Sequence, residues 1–205
     1  VKTVGFHDNF FKKENNKIYY NENYASSKVC SYLLDLIPFT THKELVIVCI
    51  GTDRCTGDSL GPIVGTKLQE QRVSNFNIYG TLEDPVHALN LQETLDLISN
   101  SYDSPYVIGI DACLGKKENI GAVQINDGPV IPGAAVNKKL PPVGNMHISG
   151  IVNIGGFMEF SVLQNTRLSI VMNLANVISD SLIKADRQIT IYKYSEFNSG
   201  TSMEA

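Results

Sequence analysis

Apolar and polar positions along the chain fall into two periods, one extended and one helical. The run Leu45-Val-Ile-Val-Cys-Ile50 is unbroken, β-branched and too short for most helices. Closed by Gly51, it predicts a strand buried on both faces, as in a parallel sheet. A polar turn, Thr52 to Ser59, follows, and Gly61-Pro62 then opens a helical segment ending near Gln71. Proline suits a helix's first turn because it lacks the N–H that would go unpaired there. Upstream, Ser26-Ser27 cap a helix running to about Ile37, with Val29, Leu33, Leu34 and Ile37 on one face and Pro38 as its stop.

Downstream, Asn75 to Gly80 reads as a second strand. Glu83 to His87 forms a turn into a helix with Leu89, Leu91, Leu95 and Ile98 as core contacts. Tyr106 to Ile110 is a third strand, ending at Asp111. Ala122 to Asn126 alternates as a half-exposed strand should, and Asp127-Gly128 closes it. Residues 129–156 are rich in Gly, Pro and Asn and read as a long irregular segment, a feature that in compact domains is usually functional. A helical region starts near Phe157, with Val171, Leu174, Ala175, Ile178 and Leu182 on one stripe. Ile189 to Tyr194 reads as a last extended piece before a Ser/Gly-rich tail. The order of elements predicts an α/β fold with a mostly parallel, helix-flanked sheet and no internal repeat. The domain reading is an N-terminal arm over 1–25, one α/β domain over 26–196 and a tail over 197–205.

Composition narrows the function classes. The chain has 205 residues and a formal charge of −4, with a pI near 5.5. Nucleic-acid partners usually need a basic face, so they are not expected. Nothing approaches the apolar length of a membrane span, and no basic-then-apolar signal peptide opens the chain from Val1. The four cysteines lack paired metal-knuckle spacing. Cys49 and Cys113 read as small buried hydrophobes and Cys30 as part of a helix face, leaving Cys55 as the one to consider reactive. The default is a reducing, cytoplasmic compartment.

Candidate chemistry gathers at predicted strand ends. Asp58 lies in the loop after the central strand, near the positive end of the incoming helix. If Thr56 caps that helix, Asp58 is a first-turn carboxylate; if Gly61 does, it lies too early for capping. Asp111 ends a buried strand on the sheet edge where open α/β folds bind ligands. Two carboxylates brought close raise one another's proton affinity and form an acid/base pair able to activate water. Each also has a plain reading, as a turn or amide partner. His147, in the Gly/Pro-rich segment, and His87, at a helix start, are the imidazole candidates; one imidazole with two carboxylates is a sensible divalent-metal set. Asn137, Lys138 and Lys139 are candidates to position a substrate carbonyl or carboxylate. No G-x-G-x-x-G or Walker pattern is present.

Several stretches resemble the sporulation-protein YyaC family. They are CIGTDRCTGDSLGPIVGTKL, EDPVHALNL, IGIDACLG and PGAAVNKKLPPVGNMHISGIVNIGGFMEFSVLQNTRL, with the helix that follows, and they span about Lys43 to Ala185. That family is similar to the germination protease of spores and to the maturation endopeptidases of nickel–iron hydrogenases. The resemblance implies a three-layer α/β/α sandwich of the phosphorylase/hydrolase-like kind. Thr56 to Pro62 resembles the germination protease's T-P-D-A-L-G-P and puts Asp58 on its essential first aspartate. A metal-binding Glu holds the like position in the hydrogenase group. Ile110-Asp111-Ala112 resembles the I-D-A of both groups. Pro132 to Lys138 resembles P-G-S-G-V-G-N-K with a one-residue gap. His147 is the matching candidate for the hydrogenase group's metal-binding His. The chain is much shorter than the germination protease and carries Asp58 where the hydrogenase group has Glu.

The leading expectation is a sporulation-associated endopeptidase of the cytoplasm, in the sporulating cell or forespore, acting on a peptide or a spore protein. Asp58, Asp111 and His147 would be catalytic, with those three also the candidate ligands of a divalent Zn or Ni ion. Thr52, Asp53, Ser59, His87, Asn137 and Lys138 would bind substrate or orient the carboxylates. The alternatives are a non-catalytic peptide- or protein-binding module on the same scaffold, or a small-molecule hydrolase at the same sheet edge. The N-terminal arm makes a homodimer plausible.

Overall fold

In the computed structural model, which describes residues 17–39, 43–133 and 140–200, the central apolar run forms strand β2 (Leu45–Cys49), every residue of it buried. Successive side chains of a strand point to opposite faces. Leu45, Ile47 and Cys49 accordingly join one apolar cluster, while Val46, Val48 and Ile50 join a second. One strand sealed between two cores requires a layer of cover on each side.

Six strands form the sheet: β1 (Lys17–Tyr19), β2, β3 (Phe76–Tyr79), β4 (Tyr106–Gly115), β5 (Ala122–Asp127) and β6 (Met146–Ile154). Their order is β1-β5-β6-β4-β2-β3. The neighbours from β3 through β2 and β4 to β6 run parallel; β5 is antiparallel to β6 and β1 to β5. Helices α1 (Ala25–Leu36), α2 (Leu60–Glu70) and α5 (Leu168–Gly200) cover the larger core, and α3 (Leu91–Ser101) covers the smaller with Val130 and Val143. A short α4 (Glu159–Gln164) follows β6. The fold is a three-layer α/β/α sandwich with a mostly parallel sheet.

Helix α5 carries Val171, Leu174, Ala175, Ile178, Leu182, Ala185 and Ile189 on one fully buried stripe. By length and hydropathy, its stretch Leu168–Glu196 is apolar enough to cross a membrane, against the expectation that nothing here would be. That stripe is a wall of the core. The helix also corrects the expected extended piece at Ile189 to Tyr194, because the helical period simply continues through Ala185 and Ile189. Tertiary bonds hold the stretch: Asn75 Nδ2 donates to Thr190 Oγ1 at 2.7 Å, and Lys193 Nζ to Asn75 Oδ1 at 2.8 Å. The Asp186 carboxylate accepts the Ser74 and Asn75 amides at 3.0 and 2.7 Å, fastening α5 to the turn before β3.

Three other elements differ from their sequence readings. Strand β4 runs past Asp111 to Gly115. Strand β6 lies inside the segment read as irregular; its Gly and Asn weaken local β preference, but β4 and β5 pair with it on both sides. Lys17–Tyr19, within the expected arm, adds to the sheet edge against Ala122–Gln124.

Candidate active site

The loop after β2 folds back onto the strand because two glycines allow it. Gly51 has φ +141°, and a Cβ there would fall 1.9 Å from the Asp58 carbonyl oxygen. The Thr52 N–H donates to that same oxygen at 3.1 Å, and the Asp58 N–H to the Cys55 carbonyl at 3.0 Å. Gly61 passes so close to β2 that a Cβ would lie 2.2 Å from the Ile50 carbonyl oxygen. Between them Gly57–Ser59 makes a 3-10 turn leading into α2, with Pro62 in the first turn of that helix. Asp58 sits in this short turn. Thr56 precedes it and Ser59 precedes α2, so Asp58 caps neither.

Asp111 comes to the same place along β4. The Ile50 N–H donates to the Ile110 carbonyl at 2.7 Å, which sets the Gly51 turn beside Asp111. Asp58 and Asp111 line one cleft of about 640 Å³ at the carboxyl edge of the sheet. Burial raises the proton affinity of both. The charge of Asp58 adds to that effect and, against the Ala112 amide, holds Asp111 well above the usual carboxylate range. At Asp58 the Thr52 amide and the charge of His87 oppose the upward shift. The upward push is the stronger at Asp111, so a proton held by the pair is drawn to that carboxyl.

His87 reaches the cleft from the opposite wall. The Gly51 N–H bonds the Val86 carbonyl at 2.8 Å, docking the Pro85–His87 segment against the end of β2. Asn90 then clamps it: its Oδ1 accepts the His87 N–H at 2.8 Å and its Nδ2 donates to the Pro85 carbonyl at 3.0 Å. The Leu89 N–H approaches His87 Nδ1 at 3.4 Å.

Thr52 and Asp53 also line the cleft. Ser59 does not; it is buried and its hydroxyl donates to the Thr56 carbonyl at 2.7 Å. His147 shares the sheet face of Asp111 but sits opposite Gly109, two positions back from the Asp111–Ser149 pair. Its ring lies outside the cleft lining, with Nδ1 2.9 Å from the Gly128 carbonyl and Nε2 3.2 Å from Asn126 Nδ2. Asn137 and Lys138, like Lys139, lie outside the described residues.

A divalent ion at Asp58, Asp111 and His147 does not fit this arrangement, because the imidazole is turned to other partners. Among the described residues no three His, Cys, Asp or Glu side chains converge to hold a metal. Thiol chemistry fits no better. Cys55 is buried, and burial pushes its thiol up; Cys113 is pushed up to about 12 by burial and the charge of Asp111. Neither is a ready thiolate.

Several cleft residues escaped the sequence reading. Ser149 pairs with Asp111 across β4 and β6 and is buried beside it; nothing local reveals that, since β6 itself was hidden. Glu83 reaches the cleft from the loop after β3 and Glu159 from the start of α4, and Cys113 lines it from the extension of β4.

With the geometry described, comparison with known proteins places the chain. The DUF1256 family model, described as a protein of unknown function, matches residues 17–181. The chain belongs to the DUF1256 family. It is 51% identical over 163 residues to Uncharacterized protein YyaC of Bacillus subtilis (strain 168), covering 80% of each protein. Among solved structures it is similar to a [NiFe] hydrogenase maturation protease, HycI from Thermococcus kodakarensis KOD1. The TM-score is 0.51 at 17% identity, over 76% of this chain and 99% of that one. At that identity the likeness shows a shared fold alone.

Proposed function

We propose that the chain is an endopeptidase whose acid pair, Asp58 and Asp111, activates water against a peptide carbonyl. The observation that carries this reading is that Asp58 and Asp111 line one cleft, where burial raises the proton affinity of both and the charge of Asp58 raises that of Asp111 further. Ionised Asp58 takes a proton from water as the water oxygen attacks the carbonyl carbon. Protonated Asp111 gives its proton to the carbonyl oxygen, forming a neutral gem-diol. On collapse, Asp58 passes its proton to the leaving nitrogen and Asp111 recovers one from the diol, so acid and amine leave and the pair is restored. His87, clamped by Asn90, favours the ionised state of Asp58. The peptidase-like scaffold supports the reading; the spore-protein substrate and the sporulating-cell or forespore cytoplasm rest on the motif resemblance.

The test is incubation of the purified chain with unfolded proteins, with and without chelator, and mass spectrometry of the products. Asp58→Asn and Asp111→Asn should each lower cleavage by about 100-fold or more while circular dichroism stays unchanged. Full activity in either variant sinks the mechanism. Selective peptide binding without turnover by the unaltered chain would make it a binding module.

A further inference from the structure

The cleft's mouth is apolar in a way that the acid pair does not require. Of the twelve large hydrophobic side chains exposed among the described residues, four line it, and two more lie in the chain just before one of those four. Leu82, Leu89, Ile131 and Phe160 line the cleft, and Phe157 and Met158 occupy the loop that runs into α4. Leu89, expected from the sequence as a core contact, is instead 81% exposed, and Ile131 is 73% exposed. They come from three separate connections, after β3, β5 and β6, so no single amphipathic element explains the cluster. Met158 is held at φ 46°, a left-handed conformation that a bulky residue rarely adopts without cause. A rimmed apolar patch of this kind marks a binding surface.

Charge decides what it binds. Asp53, Glu83 and Glu159 stand around the same opening, against Arg54 and His87 among the described residues lining it. One Glu159 oxygen accepts the Gly156 N–H at 3.2 Å. With the acid pair below, the described lining carries more acidic than basic side chains, which disfavours anionic ligands. A cavity of about 640 Å³ is the size of a small-ligand site and takes only a few side chains at a time.

We infer that the cleft takes an extended polypeptide segment carrying bulky apolar side chains next to lysine or arginine. The apolar side chains seat on Leu89, Ile131 and Phe160 while the cations face Asp53, Glu83 and Glu159. This rests on reading the cleft as a polypeptide site, and it defines which polypeptides enter.

The experiment measures binding apart from turnover. Full-length Asp58→Asn is titrated against three labelled short peptides by fluorescence anisotropy: one with Leu and Phe beside Lys, one with Glu replacing each Lys, and one with Ser replacing Leu and Phe. The first should bind about tenfold or more tighter than either other. Replacing Leu89 and Phe160 together by Ser should remove the apolar preference. Leu97→Ser, at an exposed leucine of α3 outside the cleft lining, controls for general loss of folding and should leave it. Glu83→Gln with Glu159→Gln should narrow the gap between the Lys and Glu peptides. Equal affinity for all three peptides, or preference for the acidic one, overturns the inference. Cleavage by the unaltered chain without this preference overturns it while leaving the peptidase reading standing; preference without cleavage does the reverse.

Discussion

Gly51 and the Asp58 carbonyl are packed so closely that a single added carbon would occupy the oxygen's place: the Cβ position lies 1.9 Å away. The backbone at Gly51, at φ +141°, is in addition one that side chains other than glycine's avoid. The turn that presents Asp58 to the cleft therefore depends on a residue with no side chain.

Gly51→Ala should consequently displace the Thr52–Asp58 bond and move Asp58 away from Asp111. A loss of about 2–4 kcal/mol in urea unfolding is expected, and cleavage should fall further than that loss of folded protein explains. An unchanged unfolding midpoint would mean that the turn tolerates another path.

Asp111 makes stability depend on pH in a definite direction. Its proton affinity in the folded chain is raised, first by burial and then by Asp58. Between the ordinary carboxylate range and that raised value, the native state binds more protons than the unfolded state. Stability therefore falls as pH rises through this window. Asp111→Asn removes the titration, so its Tm should exceed that of the unaltered chain by a few degrees near pH 8. The gain should vanish below about pH 4, where the carboxyl is protonated in both states. Calorimetry across this range checks it; a Tm lowered at both ends would mean that the carboxylate is held by bonds the amide cannot replace.

The two histidines should separate cleanly. His147 bonds the Gly128 carbonyl and Asn126, so His147→Gln should cost about 1–2 kcal/mol of stability and leave kcat/KM within about threefold. His87→Gln should lower kcat/KM by about 10–100-fold with the unfolding midpoint little changed. A collapse of activity at His147 with the fold intact would restore that imidazole to the chemistry.

Local pattern was enough wherever one element explained itself. The double burial of Leu45–Cys49, the Pro62 start and the stripe from Val171 to Leu182 are periodicities of neighbouring residues, and each leads to its element without knowledge of the rest. The two aspartates were legible for a related reason: each lies where a buried strand meets a turn, and the motifs around them are contiguous. Strand β6 was not, because its Gly and Asn content reads as loop until β4 and β5 supply partners on both sides. Ile189–Tyr194 was misread although the helical period runs on through Ala185 and Ile189; Asn75, more than a hundred residues earlier in the chain, adds tertiary bonds to Thr190 and Lys193 there.

The sequence by itself thus determined the α/β layering and the two carboxylates, since burial period and turn chemistry act over a few residues. Only the tertiary structure decided which imidazole shares their cleft. Sequence alone favours His147 over His87 for the chemistry. The docking of Val86 on Gly51 brings one of them to Asp58, while the register of β6 against β4 leaves the other opposite Gly109. The apolar mouth was decided in the same way, because Leu89, Ile131 and Phe160 meet only when three connections close over one sheet edge. Contacts between distant segments depend on strand order and register, and no local period encodes either.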